Sequence, residues 1–245
     1  MIALSIEQIE SFGVKRVDEH TSGFLVADLL DEETCHSFLR QHMEDIKAPN
    51  KKVAASLFMK QYTRFVVAST LYSIGTYNCA LSLPVQACMF SRERKLCVQE
   101  RACPFQKWEH WEREGRREQL LRELFSYHIT PMISVLNNTT RVSANILWEN
   151  VAVRVNSLYR KALANEPSQE RQWQLTNDFY YLKHADGDLF KWEGNPIRAY
   201  LKNVPDSTSM HYRQTCCLYH RLEEDPEGIG YCNNCPIGNK LASQC

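Results

Sequence analysis

An excess of charge of one sign, a nucleotide-binding glycine loop and an unbroken apolar run are all missing from this sequence. Lys plus Arg and Asp plus Glu number 29 each, so no global field draws the chain to nucleic acid or to an acidic membrane surface, and an anionic partner must be held by local arginines and lysines. No GxGxxG follows an apolar strand and no glycine-rich phosphate loop occurs, which leaves a nicotinamide or flavin site unsupported. No paired carboxylates and no Ser/His/Asp or Cys/His set are spaced for acid–base or nucleophilic chemistry. Repeats and low-complexity tracts are absent as well.

Residues 1–17, MIALSIEQIESFGVKRV, place Glu7 and Glu10 inside their only apolar stretch and lack a long apolar core and a small-residue cleavage site. Export is therefore not expected, and the expected compartment is cytoplasmic and reducing, with peripheral association to the inner face of the membrane left open. There, ten cysteines do not form a disulfide framework, and a close group of them points to metal binding or catalysis. Residues 65–90 carry no charge and are long enough to cross a bilayer. Ser69, Thr70, Ser73, Thr76, Asn78, Ser82 and Gln86 are spread through them, Gly75 interrupts and Pro84 breaks. A buried helix, not a transmembrane span, is the expectation.

What is present is an ordinary core-forming composition, 44% hydrophobic and 24% charged, sufficient for one large domain or one with an appendage. Residues 23–30 read as a short extended entry. Asp31 to Thr34 open a helix to about Ile46, stopped by Ala48-Pro49-Asn50. Cys35, His36 and His42 there read as packing or surface residues. Beyond Pro84, ACMFSRERKLCVQE reads as a hairpin in which Cys88 and Cys97 can face each other, with Cys103 within reach. These three form no CxxC pair and are taken as small buried hydrophobes, not as a second metal site.

From Pro104 to about Tyr127 a helix is expected with Trp108, Trp111, Leu120, Leu121, Leu124 and Phe125 on its buried side. Glu109, Arg113, Arg116, Arg117 and Glu118 are assigned to its wet side. NNTT then separates Ile133–Leu136 from a long helix over residues 143–164. Residues 165–172 form the most plausible joint. The fold expected is α+β and predominantly helical, with short β-hairpins and a small Cys-rich C-terminal element. Residues 1–203 form the scaffold and residues 204–245 the cysteine segment of one structural unit.

That segment carries the chemistry. Cys216 and Cys217 are adjacent; fourteen residues later come Cys232 and Cys235 around two asparagines, followed by Pro236. Four thiolates are a soft ligand set that suits a two-iron two-sulfur cluster or a structural zinc. The adjacent pair reaches separate corners of an extended cluster more easily than two corners of one tetrahedral ion, but spacing alone leaves both metals open. A thiol redox pair at Cys232 and Cys235 would leave Cys216 and Cys217 unexplained and lacks the strand-to-helix setting of such sites.

Arg213, Cys216-Cys217, Tyr219, Arg221 and the glycine-containing loop to Cys232-x-x-Cys235-Pro236 resemble the C-terminal signature of the FhuF-type ferric siderophore reductases. Similarity extends upstream through QYTRFVVASTLYSIGTYNCAL, LWENVAVRVNSLYRKAL and GNPIRAYLK, segments also akin to the C-terminal region of siderophore synthetases. The resemblance implies that Cys216, Cys217, Cys232 and Cys235 hold a [2Fe–2S] cluster and that the chain is a cytoplasmic oxidoreductase of iron uptake. It would deliver one electron to siderophore-bound iron(III) of hydroxamate, citrate-hydroxamate or catecholate type, releasing iron(II).

Arg213 and Arg221 are then candidates to contact an anionic siderophore or to stabilise the reduced cluster, or else partners for the acidic insertion Glu223, Glu224, Asp225 and Glu227. His211 and His220 flank the ligand set without belonging to it, and Cys245 is expected to be a free thiol. That insertion lengthens the spacer relative to the family, which a loop absorbs at little entropic cost. An electron donor such as a ferredoxin or flavin reductase must come from outside the chain. Alternatives of a different class are a zinc-stabilised binding module and a siderophore-binding or biosynthetic accessory protein without redox activity.

Overall fold

The computed structural model describes residues 10–17, 22–99, 102–103, 105–202, 212–222 and 230–238. The chain is α+β and predominantly helical, as expected, and its longest element is its centre. Helix α1 (Glu32–Asp45) starts at Asp31, whose side chain accepts from the backbone N–H of Glu33 and Thr34 at 3.1 and 2.9 Å, filling two donors a helix start leaves open. Helix α2 (Lys51–Tyr77) is capped by Asn50 and ended by Asn78 in the left-handed conformation at φ 52°. Its 27 residues make a rod of roughly 40 Å. Phe58, Met59, Tyr62, Val66 and Leu71 along it are fully buried, and small residues such as Ser56, Ser69 and Ser73 bury their hydroxyls beside them. Among the described residues no helix is long and apolar enough to cross a membrane.

Strands β1 (Val14–Val17), β2 (Gly23–Leu25), β4 (Cys88–Ser91) and β5 (Leu96–Gln99) form one sheet in the order β1-β5-β4-β2. The β1–β5 pair is parallel and the rest are antiparallel. The expected hairpin is β4–β5, turned by Arg94 at φ 57°. Its register pairs Cys88 with Val98 and Met89 with Cys97. Since directly opposed residues share a face and successive ones alternate, Cys88 and Cys97 point to opposite faces and do not meet. A short second sheet pairs β3 (Cys79–Leu81) with β6 (Phe105–Lys107); β6 occupies the start of the expected charged helix.

That helix begins later, as α3 (Arg113–Leu124), and runs through a π-turn (Phe125–Ile129) into α4 (Thr130–Thr140), so NNTT is helical and not a break. Its sides also differ from the expectation. Trp111 is 81% exposed, whereas Arg113 and Arg117, expected in water, are buried. Arg113 donates to both carboxylate oxygens of Asp178 at 2.9 and 2.6 Å, and Arg117 to one at 2.8 Å. A charge leaves water only when paired in this way, and a one-dimensional pattern cannot show a partner 61 residues on.

Helix α5 (Ala144–Asn165) lies along α2, and α6 (Gln169–His184), capped by Ser168, packs back on α5 after a three-residue break. A single core joins these helices, with Trp148, Tyr62, Tyr159, Phe125, Phe179 and Phe190 fully buried.

Candidate metal centre

The cysteine segment is anchored where the first turns of α2 meet the first turns of α5. Glu149, buried in α5, accepts from the backbone N–H of Gln214 and Thr215 at 2.6 and 2.7 Å and from the Thr215 hydroxyl. Arg213, 6% exposed, sits behind it. Its guanidinium donates to Asn150 Oδ1 at 2.7 Å and to the Thr215 carbonyl at 3.0 Å, and lies 3.6 Å from Glu149 Oε2. Asn150 in turn donates to the Ser56 carbonyl at 3.0 Å, and the Ser56 hydroxyl to the Cys217 carbonyl at 2.9 Å. The second cysteine pair is tied to the first by the Arg213 N–H, which donates to the Asn234 carbonyl at 2.9 Å. The Cys235 N–H closes the tight turn on the Cys232 carbonyl at 2.8 Å.

This scaffold brings Cys216, Cys217, Cys232 and Cys235 together. Cys217 Sγ and Cys232 Sγ are 3.4 Å apart, well beyond a disulfide bond and near the roughly 3.8 Å separating two thiolates on one tetrahedral metal with bonds of about 2.3 Å. Cys216 lies within electrostatic range of Cys217 and Cys235, as does Cys232. Cys217 and Cys235 are buried while Cys216 and Cys232 are half-buried, so the set has an inner and an outer side.

Donors already face the sulfurs. The Leu218 N–H donates to Cys216 Sγ at 3.3 Å from a backbone turned by Leu218 at φ 64°, and the Lys60 ammonium donates to Cys217 Sγ at 3.6 Å. His220 Nδ1 is 3.4 Å from Cys216 Sγ, its ring tilted against Tyr231.

The thiols share their protons unequally. The Cys232 thiol donating to Cys217 holds the Cys217 thiol below the usual range against the cost of burial, with the Lys60 charge helping, and the same contact pushes Cys232 up. Burial raises Cys216. Lys60 thus adds to the stabilisation of negative charge at Cys217, whose sulfur its ammonium contacts. Among the described residues no group of three or more His, Cys, Asp or Glu side chains is already disposed to hold a metal ion; within the set, Cys217 and Cys232 are in direct contact.

Lys60, Ser56, Glu149 and Asn150 carry no signal in the linear sequence except one: Glu149 and Asn150 stand inside the apolar stripe of LWENVAV, where a charge calls for a buried partner. Arg221 is exposed at the end of the short turn Tyr219–Arg221. Residues 223–227, His211 and Cys245 lie outside the described residues. The remaining cysteines are scattered and buried: Cys35 and Cys79 are pushed up to about 11 by burial, and Cys88 contacts Cys103 in the core. His42 is buried against Phe38, as a packing residue should be.

Fold and site together define a mostly helical α+β protein that presents a four-thiol set, half open to solvent, on the shoulder of its central helix. Residues 56–208 match the family described as ferric iron reductase FhuF-like transporter, and with well over half of its length matched the chain belongs to that family. The match contains the cradle of Ser56, Lys60, Glu149 and Asn150 and ends before Cys216. No curated protein matches the chain.

Proposed function

We propose that this chain is a ferric siderophore reductase of the cytoplasm that holds a [2Fe–2S] cluster on Cys216, Cys217, Cys232 and Cys235. The observation that carries the reading is the pairing of thiols from two segments, Cys217 Sγ to Cys232 Sγ at 3.4 Å, on the scaffold of a family described as a ferric iron reductase. The donor set fits the group: all four ligands are soft sulfurs, two of them half open to solvent, and backbone and ammonium donors already point at them. Bound there, the cluster supplies a one-electron reductant.

The chain's own residues set the terms of that chemistry. Lys60 and Arg213 place positive charge beside sulfurs whose negative charge grows on reduction, which favours the reduced state. Burial of Cys217 and Cys235 keeps water from the inner side, while Cys216 and Cys232 leave an outer side at which a bulky chelate can approach. Arg221, exposed four residues after Cys217, suits an anionic siderophore; Arg213, with its guanidinium engaged, acts by charge and by tying the two cysteine pairs together. The substrate is iron(III) held by hard anionic oxygens. One added electron gives iron(II), which those oxygens hold less well, and the metal leaves without any general base or nucleophile. Residues 204–245 are on this reading the cluster-binding segment of one structural unit with residues 1–203, and the electron enters from a separate protein such as a ferredoxin or flavin reductase.

Anaerobic purification tests the reading. Two iron and two sulfide per chain are expected, with visible absorption that dithionite bleaches, a rhombic paramagnetic signal on reduction, and trapped iron(II) when the reduced protein meets a ferric siderophore. Colourless protein with one equivalent of zinc would falsify the cluster; a reduced cluster that binds the chelate without releasing iron(II) would remove the reductase activity.

A further inference from the structure

Away from the cysteines, α2 and α5 enclose a second feature that the redox reading does not use. Ala68, Tyr72 and Thr76 recur every four residues on one face of α2. Arg154, Ser157, Lys161 and Ala162 line the facing side of α5, and Phe12 and Leu175 close a cavity of about 250 Å³. That is on the order of eight waters' liquid volume, the size of a substituted aromatic ring and not of a whole metal chelate. The wall is apolar on the Phe12, Tyr72, Leu158 and Leu175 side.

Its polar side is unbalanced. Arg154 Nε is buried without a hydrogen-bond partner, and Arg154 has no ion pair among the described residues. Arg64 stands near enough to repel it: burial and then the Arg64 charge hold the Arg154 guanidinium below its ordinary value. Arg64 itself donates to the Ser11 carbonyl at 3.2 Å, fixing the chain beside Phe12. Lys161 adds a third positive charge at the mouth. The only carboxylate in the lining, Glu166, accepts from the Ser168 N–H at 3.1 Å and bridges to neither cation. The carbonyls at the end of α2 are taken by Arg171, which donates to Gly75 and Thr76 at 2.6 Å each, so they do not neutralise the site. A half-buried, unpaired guanidinium beside another cation is costly to the folded chain, and an incoming anion removes that cost.

We propose that this cavity binds a small organic monocarboxylate with a flat apolar body, the carboxylate received by Arg154 and Lys161 and the body seated between Phe12, Tyr72 and Leu158. A planar carboxylate matches the guanidinium fork. The Glu166 carboxylate at the rim disfavours a dianion such as phosphate. Nothing in this assignment depends on a metal at the cysteines.

The test is calorimetric titration of the full-length protein, as purified, with 2-naphthoate and with its neutral counterpart 2-naphthylmethanol. Naphthoate is expected to bind at one equivalent, at least about 10-fold tighter than the alcohol, as a charge-assisted hydrogen bond implies. Arg154→Gln should erase that preference while keeping weak binding of both. Ala162→Phe, which fills the cavity from α5, should abolish both. If Arg154→Gln does not fold, Lys161→Met replaces it and should reduce the preference several-fold. Equal affinity for acid and alcohol, no saturable binding of naphthoate at millimolar concentration, an unchanged preference in the arginine or lysine variant, or inorganic phosphate competing as strongly as naphthoate would each overturn the proposal.

Discussion

Lys60 and Glu149 divide the work of the cysteine site, one acting on the sulfurs and the other on the backbone that carries them. The Lys60 ammonium is 3.6 Å from Cys217 Sγ and also lies 4.9 Å over the Tyr219 ring. Lys60→Met should make the cluster harder to reduce, with its potential falling by about 40 mV for each 1 kcal/mol of charge stabilisation lost. Lys60→Arg should restore most of the change. A redox titration followed by paramagnetic resonance reads the difference, and an unchanged potential in the methionine variant would separate Lys60 from the centre. Glu149 holds Gln214 and Thr215 and is the nearest carboxylate to buried Arg213. Glu149→Ala leaves that guanidinium without its counter-charge, a loss of about 3–5 kcal/mol. The expected result is a lower unfolding midpoint in urea together with weaker metal retention, whereas Arg221→Ala, at an exposed position, should leave the unfolding free energy within about 0.5 kcal/mol.

Among the elements, α3 and α6 depend on one shared charge. Asp178 is 1% exposed and receives both Arg113 and Arg117, and Arg117 also packs 4.2 Å over the Tyr181 ring. Asp178→Asn should destabilise the fold by about 3–5 kcal/mol because two buried cations lose their partner, while Trp111→Ala, at a site 81% exposed, should be near neutral in the same denaturation experiment. This pair of variants marks what could be seen beforehand and what could not. The helix start at Asp31 and its stop at Ala48-Pro49-Asn50, the hairpin around Arg94 and the long helix over residues 143–164 are local events, governed by turn chemistry and helical spacing, and all are visible in the sequence. The side of α3 that faces inward is set by a carboxylate far along the chain, and composition alone assigns its arginines to water. The cysteines follow the same division: their spacing announces a soft-ligand set, but Lys60, Ser56 and Glu149 meet them only through the packing of α2 on α5.

At the scale of the whole molecule, two imidazoles buried in one core tie stability to pH. His42 lies among Phe38, Phe58 and Phe90. His128, held in the π-turn, accepts from the Tyr62 hydroxyl at Nε2 and donates from Nδ1 to the Leu83 carbonyl at 2.6 Å. Burial is the leading cause that lowers each to about 4, against about 6.5 in an unfolded chain. Between those values the unfolded state binds more protons than the folded one, so stability rises with pH and is lost as the pH falls from about 6.5 toward 4. Arg94 near His42 works in the same direction and Asp45 against it. At pH 5 each histidine should cost about 2 kcal/mol relative to pH 7.5. Urea unfolding of the metal-free chain at the two pH values reads the sum. His128→Asn, which keeps a donor for the Leu83 carbonyl but cannot be protonated, should remove about half of the acid sensitivity even if it lowers stability at pH 7.5. An acid sensitivity as large in that variant as in the parent would mean that His128 binds a proton equally in the folded and unfolded states and that the pH dependence arises elsewhere.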